Sequence, residues 1–252
     1  MKNKNIEIIH LGHAGIYISC EDFSLVVDPW LIGPAFMGGW WLNREPKKEY
    51  LDLIIKSEII YISHNHPDHL HPETLSYLDT NKTIITPAFK SRSSEKMLKS
   101  IGFTPQCLDY KDIFQFKDKE IYFSILKSGD FRDDSGIYLN IYGFKILLTV
   151  DSNFLNSGIL PKEIDFLATS FAAGASGFPF CFLDYNDKEK TKISIRNRRA
   201  LLSSVSVLVD TVKPKYYMPY AGYFSEKSPR DIEINEKNSK NSPEEALSLI
   251  HI

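Results

Sequence analysis

The stretch Ile59-Ile-Tyr-Ile-Ser-His-Asn-His-Pro-Asp-His-Leu-His71 decides how this chain is read. Its first four residues form an apolar, largely β-branched run that predicts a buried strand. Pro67 and Asp68 break that strand, so His64, His66, Asp68 and His69 fall on the loop just past its C-terminal end. Open α/β sheets bind their ligands at that end of their strands. Three imidazoles and a carboxylate within six positions form a donor set for a borderline divalent ion, zinc or iron. Four of the chain's 7 histidines lie between His64 and His71, which argues against a merely solvated loop. His71 stands outside the cluster, before a helix opened by Pro72, and reads as a helix cap or surface residue.

Two further strand ends carry carboxylates. The run at 23–27 ends in Asp28-Pro-Trp30, and that at 145–150 ends in Asp151. Other strands are expected at 6–9, 16–19, 83–86, 113–116, 121–126, 137–142, 166–169 and 215–218, and helices at 47–56, 72–78, 91–100, 196–212 and 243–250. Each half of the chain runs antiparallel strands first and strand–helix units afterwards. Two such halves, packed sheet to sheet with helices outside, give an α/β fold of the αββα four-layer sandwich type. That arrangement brings Asp28, His64 and Asp151 to one rim. No composition break marks a linker, so residues 1–252 read as a single domain.

A net charge of -2 gives no bulk surface for nucleic acid or membrane, and no apolar run is long enough to span a bilayer. The polar N-terminus lacks a signal-peptide core. Cys20, Cys107 and Cys181 are scattered and odd in number. They suggest reduced thiols in a cytoplasm and exclude a cysteine-based metal motif.

The sequence resembles the metallo-β-lactamase fold in His64-x-His66-x-Asp68-His69, in Asp28 and in Asp151. Leu11-Gly-His-Ala14 looks like the branch holding ascorbate 6-phosphate lactonases and N-acyl-phosphatidylethanolamine phospholipases D. A narrower likeness is to the metallo-β-lactamase-like domain of CMP-N-acetylneuraminate hydroxylases. It rests on Asp28-Pro-Trp-Leu-Ile-Gly-Pro-Ala-Phe36, Phe171-Ala-Ala-Gly-Ala-Ser-Gly-Phe-Pro179 and Pro219-Tyr-Ala-Gly-Tyr-Phe224. The iron–sulfur domain that precedes this fold in those hydroxylases has no match here, and their chain runs on beyond the equivalent of Ile252. The expectation is a stand-alone minimal version or one component of a system.

The resemblance implies roles. His64 and His66 hold one ion, Asp68 and His69 face a second, Asp151 bridges them or binds either, and Asp28 orients a ligand from behind. His13 is either a proton donor near the substrate or a structural turn histidine. Two histidines of the general pattern are missing. Where the first is expected stands Ser128-Gly-Asp-Phe-Arg-Asp-Asp134, with Asp130 as the substitute ligand or a solvated acid. The second falls near Pro219-Tyr-Ala221, where Tyr220 or solvent takes its place. These losses point away from a full two-zinc hydrolytic site and toward a mononuclear, iron or degenerate one. Trp30, Trp40, Phe178, Tyr220 and Tyr223 either pack their loops or wall a substrate pocket. Arg196, Arg198 and Arg199 either form a solvated basic face or reach an anionic substrate.

The function expected first is metal-dependent hydrolysis of an anionic small molecule, such as a nucleotide-sugar or phosphate ester. One or two zinc or iron ions activate water, Asp68 orients it, and His13 protonates the leaving group. Two alternatives stay open. One is an iron-dependent hydroxylase of a CMP-sialic-acid-like nucleotide-sugar, supplied with electrons by a separate protein. The other is a non-catalytic subunit with a degenerate site.

Overall fold

A computed structural model describes residues 4–173 and 177–248. The middle of the glycine-rich loop at 171–180 and the last two residues of the expected helix at 243–250 lie outside the described residues. In the first half the chain forms β1 (Glu7–Gly12), β2 (Gly15–Cys20), β3 (Phe23–Val27), β4 (Trp40–Leu42), α1 (Lys48–Lys56), β5 (Ile59–Tyr61), α2 (Pro72–Leu75), β6 (Thr83–Pro87), α3 (Ser93–Ser100) and β7 (Gln106–Leu108). The second half forms β8 (Phe114–Gln115), β9 (Ile121–Lys127), β10 (Ser135–Ile141), β11 (Phe144–Leu148), β12 (Phe166–Ser170), α4 (Asp187–Val212), β13 (Tyr216–Tyr220), β14 (Phe224–Glu226), α5 (Pro229–Lys237) and α6 (Pro243–Ser248).

Two six-stranded sheets result, in the orders β1-β2-β3-β5-β6-β7 and β13-β12-β11-β10-β9-β8. The alternation of side chains along a strand assigns the layers. Leu25, Val27, Ile59 and Tyr61 point to the core between the sheets, where they meet Phe123, Ile137, Ile146 and Leu148. Their neighbours Val26 and Ile60 point the other way, onto Ile54 of α1, Leu75 of α2 and Leu98 of α3. In the second sheet Leu147 and Leu167 face Val205, Leu208 and Val209 of α4. The order helix, sheet, sheet, helix is the expected αββα sandwich. β3, β5 and β6 run parallel, as do β11, β12 and β13. The ends of these strands set up the rim on which the site is built.

Gly136 in β10 is closely covered by the neighbouring strand β11 and the segment that follows it. A Cβ there would come 2.4 Å from Leu155 Cδ1 and 2.7 Å from the Leu148 carbonyl oxygen. Backbone cannot yield as a side chain can, so Gly136→Ala should cost ~1–3 kcal/mol, as overpacking does. A clear drop in thermal midpoint is expected, and an unchanged midpoint contradicts the packing described.

Several elements differ from the sequence reading. α4 starts at Asp187 rather than near 196, because residues 187–195 lack an apolar face and their helical signal lies in the cap instead. The Asn186 side chain accepts from Glu189 N–H (3.0 Å) while Glu189 accepts from Asn186 N–H (2.9 Å), a capping box. α3 begins two residues late because Arg92 sits in left-handed backbone, φ 57. α2 is a four-residue turn of helix rather than a helix to 78. The loop at 31–41 is not all loop. Its end, β4, pairs antiparallel with β14, residue Trp40 opposite Glu226. This small sheet stacks Trp40 on Phe224 at 3.9 Å between ring centroids and caps the rim.

Candidate metal centre

The rim gathers the three strand-end stretches as the sequence pattern requires. β3 and β5 pair in parallel with Val27 opposite Tyr61, so Asp28 lies beside the chain leading to Ser63 and His64. Asp28 is fully buried and organises the groups around it. Ser63 N–H donates to Asp28 Oδ1 (2.8 Å), and the Ser63 hydroxyl donates to Asp28 Oδ2 (2.6 Å). His69 Nδ1 donates to the same Oδ2 at 2.9 Å. Because the Ser63 hydroxyl hydrogen is committed to Asp28, Ser63 Oγ accepts from His64 Nδ1, 2.8 Å away. Both histidines are therefore fixed in the tautomer that leaves Nε2 free to face the cleft. A carboxylate behind a ligating imidazole performs this service in metal sites.

Two donor groups face one another across Asp151. In one, His64 Nε2 lies 2.8 Å from His66 Nδ1 and 3.8 Å from Asp151 Oδ2. In the other, His69 Nε2 stands 3.4 Å from Asp68 Oδ2 and 3.4 Å from Asp151 Oδ1. Each oxygen of Asp151 thus faces a different group. His13 Nε2 bonds Asp68 Oδ2 at 2.9 Å, which brings His13 into the second group. His13 Nδ1, Asp68 Oδ1 and His69 Nε2 are buried without a hydrogen-bond partner. Orphaned buried donors and acceptors are costly. These atoms belong to His13, Asp68 and His69, whose donors lie within 4.8 Å of one another, as do those of His64, His66 and Asp151, and nitrogen and oxygen donors so gathered fit a divalent ion of the zinc or iron type.

Electrostatics agree. Burial, reinforced by His69, holds His64 well below the usual imidazole range. Burial also opposes charge on His69, yet Asp151, Asp68 and Asp28 together lift it well above that range. Burial opposes ionisation of Asp68 and Asp151, but His69 keeps both carboxyls below the ordinary carboxylate range. Asp134 behaves differently: burial and the nearby Asp151 push it up to about 7.

Backbone strain surrounds these groups. His13 (φ 44), Asp28 (φ 45) and Val150 (φ 54) all adopt left-handed backbone, which for a β-branched valine is a true outlier. Such residues cost ~1–3 kcal/mol each and persist where surroundings over-determine them. The His13 carbonyl accepts from Ala221 N–H at 3.0 Å and from His10 Nε2 at 2.9 Å. Val150 N–H donates to the Tyr220 hydroxyl at 2.9 Å, which aims the next residue, Asp151.

The cleft at this rim has a volume of about 1140 Å³ and reaches from His66, Asp68 and Asp151 to Trp40 and Phe224. Of the five aromatics expected as pocket walls, Trp40 alone lines it. Trp30 is buried behind, edge-on to His13 at 5.5 Å, with its indole N–H on the Gly33 carbonyl. Tyr220 is buried as a support for Val150. Tyr223 packs on His10 and Phe171, and Phe178 packs on Phe182 and Tyr185. Loop residues lack the alternation that tells inward from outward, so aromatic character alone does not place them.

Asp130 is not brought to the metal groups. Its carboxylate accepts from the Ser128 hydroxyl, Arg132 N–H and Arg132 Nε. The acid of that loop nearest the cluster is Asp134, whose Oδ1 lies 3.5 Å from His64 Nδ1. Arg198 is engaged by Asn241 and Glu245, while Arg196 and Arg199 point to solvent, and none of the three lines the cleft. His71 caps α2 by accepting from Thr74 N–H at 3.2 Å, the cap alternative of the sequence reading. Sequence reasoning misses Ser63, Arg132 and Asp134. Only the adjacency of Ser63 to His64 offers any signal.

Among the described residues no helix is long and apolar enough to cross a membrane. Residues 7–125 match a family model described as a beta-lactamase superfamily domain. The chain is 37% identical over 253 residues to the cytidine monophosphate-N-acetylneuraminic acid hydroxylase of Mus musculus, covering 97% of this chain and 44% of that protein. The chain thus spans less than half the length of that relative. Solved structures with the same fold include CmlA, a diiron beta-hydroxylase from Streptomyces venezuelae, at TM-score 0.58 and 17% identity, covering 87% of this chain and 45% of that one. Another is an isothiocyanate hydrolase from Delia radicum gut bacteria, at TM-score 0.57 and 12% identity, covering 93% and 91%. Fold, donor cluster and sequence similarity together lead to one conclusion: the chain has the metallo-β-lactamase fold, its residues 7–125 match the beta-lactamase superfamily domain, and it is related in sequence to the cytidine monophosphate-N-acetylneuraminic acid hydroxylases.

Proposed function

We propose that the protein is a metal-dependent hydroxylase, or its catalytic component, acting on a nucleotide-sugar of the CMP-N-acetylneuraminate type. The observation that carries this reading is the pair of donor groups sharing Asp151, in a chain 37% identical to a hydroxylase along 97% of its length. The same cluster on this fold also suits hydrolysis, the function expected first. Two features favour hydroxylation. One donor group, His64, His66 and Asp151, is two imidazoles with one carboxylate, a set used by non-haem iron oxygenases. The full-length relative is itself named a hydroxylase.

In this reading His64, His66 and Asp151 hold one ion, and His69, Asp68 and Asp151 hold the other. Bound iron supplies the redox chemistry of dioxygen. The chain's own residues do the rest. Asp28 and Ser63 keep the imidazoles oriented, so the site need not reorganise as the reaction proceeds. His13, hydrogen-bonded to Asp68 and lining the cleft, holds a proton at Nε2 within reach of the reacting centre. Trp40, Phe36 and Phe224 shield that end of the cleft from bulk water. Hydroxylation replaces a C–H bond by C–OH and consumes dioxygen, two protons and two electrons, the second oxygen atom leaving as water, and a separate electron-transfer protein delivers the electrons.

The test is product analysis with CMP-N-acetylneuraminate, ferrous iron, dioxygen and a reducing system. A product one oxygen atom heavier is expected. Release of CMP with no oxygen gain would assign the site to hydrolysis instead, and a protein that neither binds metal nor turns over would be a non-catalytic subunit.

A further inference from the structure

The loop between β9 and β10, whose Asp130 the sequence offers as a metal ligand or a solvated acid, is built in the structure around Asp130 and Arg132. Ser128 N–H donates to the Asp134 carbonyl at 3.0 Å, which closes the loop at its base. Gly129 N–H donates to the Phe154 carbonyl at 2.7 Å, and the Ser128 and Ser152 hydroxyls bond at 2.9 Å. Both links tie the loop to the segment just after Asp151, at the metal rim. Within the loop Asp130 receives three hydrogen bonds. Two come from Arg132, from N–H to Oδ1 at 2.9 Å and from Nε to Oδ2 at 2.7 Å. The third comes from Ser128 Oγ at 2.9 Å.

The guanidinium of Arg132 is thereby held through its Nε alone. Its two terminal amino groups bond no described residue, and the side chain lines the cleft with His66 and Asp151. Besides histidines, Arg132 and Lys227 are the cations lining that cleft among the described residues, and the Lys227 ammonium sits 4.9 Å over the Trp41 ring. A guanidinium with its outer fork free is the geometry that takes a phosphate or carboxylate by paired hydrogen bonds.

We propose that Arg132 is the anion-recognition residue of the cleft and that Asp130 is its positioning residue. The ligand group is a phosphate or carboxylate of the substrate, and the proposal rests on the nucleotide-sugar reading above. Orientation by Asp130 removes rotamer freedom that binding would otherwise have to remove, so the arginine is set before the anion arrives.

The test compares binding of three probes by calorimetry to the full chain as purified: CMP, cytidine and N-acetylneuraminate. Cytidine lacks the phosphate, and N-acetylneuraminate offers the carboxylate alone, so the probes tell the two anion sources apart. CMP or N-acetylneuraminate should bind, and Arg132→Gln should weaken that anion about tenfold to a hundredfold, the size of a charge-assisted hydrogen bond. Arg132→Lys should restore part of the loss, and cytidine binding should not change. Asp130→Asn should weaken the same anion by on the order of threefold to tenfold, with metal content equal to that of the unmodified protein. Equal anion binding in Arg132→Gln and the unmodified protein overturns the subsite alone, and Asp130 and Arg132 are then an exposed ion pair only. Loss of metal in Asp130→Asn makes Asp130 a ligand and overturns its positioning role. Failure of all three probes to bind the unmodified protein overturns both the subsite and the nucleotide-sugar reading.

Discussion

Replacing His64 and His66 together by alanine strips the protein of at least one equivalent of metal and leaves it folded. The two imidazoles supply both nitrogen donors of one group, 2.8 Å apart, and Asp151 alone cannot hold an ion there. The second group suffers as well, since Asp151 faces both. The fold does not depend on these side chains. The inter-sheet core is built from residues such as Phe23, Leu25, Phe123 and Leu139, none of which belongs to the site. Ser63, which loses His64 as a donor, still donates to Asp28. Elemental analysis beside circular dichroism checks this. Metal content equal to that of the unmodified protein would remove His64 and His66 from the site.

Asp151→Asn should cost more metal affinity than Asp28→Asn, and both losses should be large. Asp28 touches no ion in this account. It accepts from Ser63 N–H at one oxygen and from Ser63 Oγ and His69 Nδ1 at the other. An amide there places an N–H₂ against at least one of these donors, whichever way it is turned. His69 then loses its fixed orientation, for which a fall of ~10–100-fold is expected. Asp151→Asn removes a negative charge that both groups use, so its loss should exceed ~100-fold. Titration of zinc or ferrous iron into the metal-free proteins ranks the two. An equal or larger loss at Asp28 would make Asp28 the ligand and Asp151 the support.

The parts of this molecule legible in its sequence are those governed by short-range periodicity. The run Ile59–Tyr61 ends where its apolar alternation stops, and the histidines come at once after it, so strand, loop and donor set can be read together. Asp28 and Asp151 are legible for the same reason, as carboxylates directly after apolar runs. The illegible parts depend on distant pairing. Nothing near Trp40 announces that it will face Glu226, and the lid over the cleft is made by that pairing. The loop at 128–134 holds three aspartates, and sequence cannot say which turns inward. Asp134 lies beside His64 while Asp130 is taken up by Arg132, because the loop closes on itself through Ser128 and the Asp134 carbonyl. Tyr220 shows a subtler failure. Its position near the site is foreseeable, but its hydroxyl serves the strained backbone of Val150 rather than a substrate.

The claim on which the rest depends is that Asp151 joins two ion-binding groups in one cleft. Elemental analysis of protein purified without chelator or added metal tests it most directly. The account predicts about two equivalents per chain of redox-active iron, one for each donor group. Protein that carries no divalent metal, and that takes up none when ferrous iron or zinc is supplied, would contradict it.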